Sequence, residues 1–406
     1  MIVWWIRRDQ RLNDNACWDY VRDRAGQMGQ APVALFAWNG LKTAEGLGGI
    51  PRMSARRQAW TSAGLEALRT NLATEGVDLI ETDGSAADWL RKYSATEVVY
   101  SRDVATEERR HEDAVRAVCP QATGFWTHTL WSPETLPGGL DRLPPTFTPF
   151  RHRVERDRTS FDVDPLPETG ARSPQDPSDC VPFGPTDADA LARLSAYFAN
   201  PEGAAQYKTR RNGLLGTEFS TKFSLWLATG ALSPQRIWQC CLELEATLGG
   251  SPDVEWIRVE LLWREYFQWV AYTAGPRLFF KKGFRDSAPR TGFNAKVFQR
   301  WVDGTTGDAF VDAGMRELAA TGFSSNRARQ NMASYLIHDL GLDWRYGAAY
   351  FESQLLDYDP ASNWANWAYI AGVGNDPRPV RRFNTVKQAQ DYDADGAFRR
   401  HWRSAP

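Results

Sequence analysis

The chain has 406 residues, with 48 Lys and Arg against 50 Asp and Glu and a formal charge of −2. That length allows about two or three domains, and no run of about 18 apolar residues marks a membrane-spanning helix. Five cysteines without a CxxC pair, five scattered histidines without HExxH, and an N-terminus, "MIVWWIRRDQ", that turns charged before a signal core forms argue for a reduced, cytoplasmic protein without a metal centre.

Residues 1–130 read as alternating strand and helix. Strands are expected at "MIVWWI", at "PVALFAW" (Pro32–Trp38), at "VDLIE" (Val77–Glu81) and at "EVVYS" (Glu97–Ser101), with helical patterns over Ser54–Glu75 and Thr106–Val118 between them. Strands spaced by helices predict a parallel Rossmann-like α/β sheet, yet no GxGxxG follows the first strand, so the dinucleotide fingerprint is absent. Residues 131–190 form a connector, rich in Pro, Ser, Asp and Gly from 157 onwards. Residues 191–406 read as a helical domain. Charge is uneven: residues 1–200 carry 23 Lys and Arg against 28 Asp and Glu, and residues 201–406 carry 25 against 22. A nucleic-acid partner therefore favours the second half. Its densest basic patch, "RLFFKKGFRDSAPR" (Arg277–Arg290), interleaves cations with aromatics, and taken alone a solvated loop is the readier explanation. Of 18 tryptophans, ten lie at Trp226 or beyond, which permits base stacking, cofactor stacking or electron transfer as well as core filling.

Four stretches of the helical half carry chemistry. In "GTEFSTKFSLWLATGALSPQRIW" (Gly216–Trp238), Ser220 or Thr221 suits the N-cap of a helix ending at Gly230, and Ser233-Pro234 starts another. Hydroxyls and a lysine at a helix start suit a phosphate cradle or ordinary capping. In "WIRVELLWREYFQWVAY" (Trp256–Tyr272), Glu260, Trp263, Arg264 and Phe267 share one helical face. They mark a cavity wall or, more blandly, a Glu260–Arg264 pair at the edge of a core. In "SSNRARQNMASYLIHDLGLDWR" (Ser324–Arg345), Asn326, Arg329 and Gln330 share a face with Ala333, and Arg329 needs an anion that Asp357 or Asp359 can supply. In "LLDYDPASNWANWAYIAGVGNDPR" (Leu355–Arg378), apolar residues follow neither helical nor strand spacing. The mixture of acids, amides and aromatic rings suits a pocket wall around a flat, hydrogen-bonding ligand, or a core loop with satisfied side chains.

Seven motifs, "WIRRDQRLNDN", "EFSTKFSLWLATGALSP", "ELLWREYF", "VDAGMREL", "SNRARQNMASYL", "DWRYGAAYFE" and "DYDPASNWANWAYIAGVGNDPR", together resemble the photolyase/cryptochrome family over residues 1 to 390. "LPPTFTPFRHRVE" (Leu143–Glu155), "GVGNDPR", Gln330 and Tyr369 make the chain most similar to the cryptochrome-DASH branch. No histidine lies in the Asn326–Gln330 region, against (6-4) repair, and the cysteine spacing does not match the iron–sulfur branch.

The resemblance implies a Rossmann-like domain, a linker, and a helical domain that holds FAD. It places Tyr207, Ser220, Thr221, Phe223 and Ser224 on the phosphate and ribose side. Arg264, Asn326, Arg329, Asp357, Asp359 and Asn363 fall around the isoalloxazine, with Arg329 paired to Asp357 and Asn363 facing the flavin N5. Trp367, Trp344 and Trp301 match the electron-carrying tryptophans, which lead in from the surface. Glu260, Trp263, Asn326, Gln330 and Tyr369 match the lesion pocket, and Glu108 matches a folate-antenna contact. The implied function is blue-light repair of cyclobutane pyrimidine dimers, preferentially in single-stranded DNA, by a monomer. The rival is a blue-light receptor that binds nucleic acid or protein without repair. The chain ends at Pro406 with no signalling tail, which weakens a plant-type receptor reading.

Overall fold

The computed structural model describes residues 1–157, 159–164, 181–200, 202–375 and 381–403. The proline-rich heart of the connector, Cys180 and Asp376–Arg378 of the branch motif lie outside the described residues. Five parallel strands, β1 (Ile2–Ile6), β2 (Val33–Ala37), β3 (Asp78–Thr82), β4 (Glu97–Ser101) and β5 (Gln121–Phe125), form one sheet in the order β3-β2-β1-β4-β5. β1, in the centre, is buried at all five positions. That is why "IVWWI" reads as an unbroken apolar run. Four helices, α1 (Ala16–Met28), α2 (Ala55–Thr74), α3 (Ala86–Lys92) and α4 (Thr106–Val118), alternate with the strands, and α1, α2 and α3 start on side-chain caps from Asn15, Ser54 and Ser85. The fifth strand, "QATGF", was not expected. It pairs only with β4 and is half exposed, so it needs no apolar run.

The connector is not wholly irregular. Helix α5 (Phe147–Asp157) lies within it and α6 (Asp187–Ala199) begins before its expected end. The helical domain continues with α7 (Tyr207–Arg210), α8 (Ser224–Thr229), α9 (Pro234–Leu248), α10 (Pro252–Ala274), α11 (Ala295–Val302), α12 (Ala309–Thr321), α13 (Asn326–Ser334), α14 (Trp344–Gln354), α15 (Pro360–Ile370), α16 (Thr385–Tyr392) and α17 (Ala397–His401). One large apolar core joins these helices. The sheet domain docks on α14 through Arg52 and Arg57, which bond the Glu352 carboxylate and carbonyl at 2.8 and 2.6 Å.

Two local expectations are corrected. Ser220 and Thr221 do not cap α8: Phe223 holds the cap position with no side-chain bond, and residues 219–223 form a loop instead. Ser233 precedes Pro234 as expected but makes no capping hydrogen bond. The aperiodic stretch around Trp364 is helical after all. α15 begins with Asp359 as its cap and Pro360 in its first turn, and it is buried on nearly every side, including Ala361, Asn363, Trp364, Trp367 and Ile370. A helix buried all round shows no amphipathic period.

Candidate functional site

α10, α13, α15 and the 219–224 loop converge on a two-lobed cavity. The larger lobe encloses about 270 Å³. It is walled by Ser220, Thr221, Phe223 and Ser224 from the loop, Glu260 and Arg264 from α10, and Asn326, Arg329, Asp357 and Asp359 from across the cavity. The smaller lobe, about 100 Å³, shares the last four residues and adds Gln330, Asn363 and Trp367.

The Arg329 guanidinium donates to both Asp357 oxygens at 3.0 and 2.9 Å and to the Ser324 carbonyl at 2.9 Å. Helix α13 supplies the cation, and the turn before α15 supplies the acid. Asp359 receives Gln268 Nε2 at 3.0 Å on each oxygen and the Ser362 N–H at 2.6 Å, and it is ion-paired to Arg8. Burial alone would raise its pKa, but Arg8 and Arg264 hold it well below the usual carboxylate range. Arg264 donates to the His128 carbonyl at 2.7 Å, while its second terminal nitrogen is buried without a hydrogen bond, 4.0 Å from an Asp359 oxygen. Burial pushes the neighbouring His128 imidazole down to about 3, so it is neutral. Asn363 donates to the Ala348 carbonyl at 3.0 Å, which fixes its amide in the smaller lobe.

Glu260 does not pair with Arg264. It takes Arg211 as its ion-pair partner and accepts from the Trp256 indole at 3.1 Å. Burial raises its pKa, opposed by Arg211. Trp263 is stacked on Phe147, centroids 3.7 Å apart and planes 13° apart, and stands edge-on to Tyr369 at 6.0 Å. Lys222 adopts φ +61° in the cavity loop, its ammonium buried between Phe219 and Phe323. A non-glycine residue in this conformation carries a local backbone cost that the surrounding packing must hold.

Some expected residues lie elsewhere. Tyr207 is not on the wall; it is buried beside α10. Trp263 and Tyr369 stand together but line neither lobe. Trp367 is 6.2 Å from Trp301 with Phe351 against both, whereas Trp344 pairs with Trp364 at 5.8 Å. Trp301 is fully buried, with Tyr350, a half-buried ring, 5.7 Å away. Glu108 lines a separate cleft of about 320 Å³ between the domains, with Glu107, Phe279, Phe280, Tyr358 and Trp364. Burial, with Asp103 adding to it, pushes its carboxyl up to about 7. Sequence reading missed Arg8, Arg211, Gln268 and Phe147, all of which reach site residues through tertiary contacts.

This arrangement defines a flavoprotein of the photolyase type. A model described as the FAD binding domain of DNA photolyase matches residues 256–405, and one for DNA photolyase matches residues 2–171. The chain belongs to the photolyase/cryptochrome family. It is 36% identical over 431 residues to the cryptochrome DASH of Danio rerio, covering 99% of this chain and 82% of that one. It is 38% identical over 416 residues to that of Idiomarina loihiensis, covering 98% and 91%. The crystal structure of the Synechocystis sp. PCC6803 cryptochrome superposes with a TM-score of 0.89 at 35% identity, covering 99% of this chain and 88% of that one. A bacterial class III photolyase from Agrobacterium tumefaciens gives 0.79 at 28%, covering 99% and 86%. FAD is the cofactor of the helical domain. The residues present fit it: a donor-rich wall, a buried Arg264 nitrogen without a hydrogen bond and paired acids suit a flat group rich in carbonyls and ring nitrogens.

Proposed function

We propose that the protein is a blue-light-driven lyase that splits cyclobutane pyrimidine dimers, preferentially in single-stranded DNA. The observation that carries this reading is Glu260. It lines the same cavity as Arg264, Arg329 and Asp357, where a lesion beside the cofactor would be touched. Reduced, photoexcited FAD supplies the electron that opens the dimer; the chain's own residues position and stabilise. Glu260 and Asn326 offer hydrogen bonds to thymine carbonyl and imide groups, and Gln330 extends that polar edge. Trp263 and Tyr369 form an aromatic shelf nearby, although Phe147 already covers one face of Trp263. Lys208 and Arg211 flank the Trp256 ring at 4.8 and 5.1 Å, and Arg327 bonds Asn212 and Gln330. These cations suit backbone phosphates, which position a strand without reading its sequence. A dimer must leave the stack to reach this cavity, and an unpaired strand gives it up at lower cost.

Residues 1–130 act as the sheet and antenna domain, 131–190 as the connector, and 191–406 as the FAD and lesion domain of a monomer working in the cytoplasm. In the interdomain cleft, Glu107 and Glu108, the buried unpaired Thr106 hydroxyl and the exposed Phe280 ring suit the N–H-rich heterocycle of a folate antenna. No described helix is long and apolar enough to cross a membrane. The relatives' name, cryptochrome, favours the receptor as the second reading. The deciding experiment is light-dependent loss of dimers from irradiated oligo-dT with the flavin fully reduced. Binding without repair leaves the receptor.

A further inference from the structure

Asp359 belongs to the flavin cavity, yet its nearest counter-charge does not come from the helical domain. Arg8 follows β1 by two residues. Its guanidinium pairs with Asp359 on one side and, through Nε, with Asp103 at 3.2 Å on the other. Asp103 follows β4, so both groups leave the carboxyl end of the sheet, where parallel α/β folds place functional residues. The side chains of Arg8 and Asp359 are 12% and 7% exposed. The remaining contacts of Asp359 are weaker in charge. Gln268 touches both oxygens but is neutral, and Arg264 Nη2 stands 4.0 Å away while its other arm serves the His128 carbonyl.

The backbone around Arg8 is fixed against the cavity. Gly230, the left-handed cap of α8 (φ +75°), lies so close that a Cβ there would sit 1.9 Å from the Arg8 carbonyl oxygen. The Gln10 N–H donates to the Thr229 carbonyl at 3.3 Å, and Arg11 donates to the Gly230 carbonyl at 2.6 Å. The segment that delivers Arg8 is therefore anchored to the helix that follows the cavity loop.

We propose that Arg8 is a positioning residue of the FAD site: from the sheet domain it supplies the positive charge that keeps Asp359 ionised and oriented at the cavity wall. A buried carboxylate that loses its direct counter-ion becomes costly and turns or protonates. The sheet domain thereby contributes to flavin binding as well as to any antenna function.

The geometry supplies its own rescue test. Gln268 already bonds the carboxylate from α10, so an arginine there would offer the same charge from a different element. R8Q, R8K, and R8Q combined with Q268R would be purified and their FAD dissociation constants measured from flavin fluorescence released on dilution. R8Q is expected to weaken FAD binding at least about tenfold. R8K, which keeps the charge without the second bond to Asp103, should fall between R8Q and wild type. The double variant should return to within about threefold of wild type. An R8Q protein that holds FAD as tightly as wild type overturns the proposal. So does a loss that neither R8K nor Q268R relieves, because a packing or domain-clamping role is not cured by a cation placed on α10. If R8Q alone does not fold, the double variant decides: folded and flavin-bound supports the proposal, unfolded overturns it.

Discussion

Arg329→Ala removes the guanidinium that makes two hydrogen bonds to Asp357 and leaves that carboxylate, 3% exposed, without its counter-ion. Breaking a fully buried pair from one side costs about 3–5 kcal/mol. The Arg329 side chain is 23% exposed, so water relieves part of the penalty and about 2–3 kcal/mol is the reasonable expectation. If that cost falls on the flavin-competent cavity, FAD binding weakens roughly 30- to 160-fold. The assay is the flavin-to-protein absorbance ratio of the purified variant, followed by FAD titration and thermal melting. Adding Asp357→Asn should recover part of the stability, since removing both partners strands no charge, but should not restore flavin binding. Lysine at 329 should rescue only partly, because it lacks the planar fork that meets both oxygens. An Arg329→Ala protein that purifies with a full complement of flavin and an unshifted melting curve would refute the reasoning.

Two further outcomes are expected. Trp367→Phe keeps a ring against Phe351 and Trp301 but removes an easily oxidised indole from the smaller lobe, so photoreduction of the flavin by an external donor should slow sharply; unchanged photoreduction would make Trp367 core filler. Glu317, buried on α12, has its carboxyl pushed up from 4.5 to about 7 by burial, against its bond from the Ser324 hydroxyl and the charges of Lys222 and Arg329. An acid raised in the folded state holds its proton longer there than in the unfolded chain, so its contribution to stability declines as pH rises from about 4.5 to about 7. Glu317→Gln, which can still accept from Ser324, should therefore gain stability relative to wild type across that window, read as the difference between their melting temperatures; a difference independent of pH contradicts it.

Legibility in the sequence followed physical periodicity. β1, β2 and β4 were readable because buried parallel strands are apolar throughout, whereas β5 is an edge strand of Gln, Ala, Thr and Gly with little to bury. That Arg329 needs an acid was readable from its helical face, which left Asp357 and Asp359 open; the choice of Asp357 came from the family resemblance. α15 was hidden by its own burial. The 219–223 loop was misread as a cap because Ser and Thr suit both roles. Arg8 and Arg211 could not be found from local pattern, since Arg8 meets Asp359 across 351 positions and Arg211 meets Glu260 across 49.

Repair is tested most directly at Glu260. Wild type and Glu260→Ala, both with chemically reduced flavin, would be given irradiated single-stranded oligo-dT under blue light, with binding measured separately in the dark. A protonated carboxyl that donates to a thymine carbonyl bonds most strongly as negative charge develops there, so its loss should affect turnover more than affinity. Wild type should remove dimers, and Glu260→Ala should keep its FAD, bind the strand only modestly less well and repair far more slowly. Wild type that binds the strand but leaves every dimer intact would contradict it.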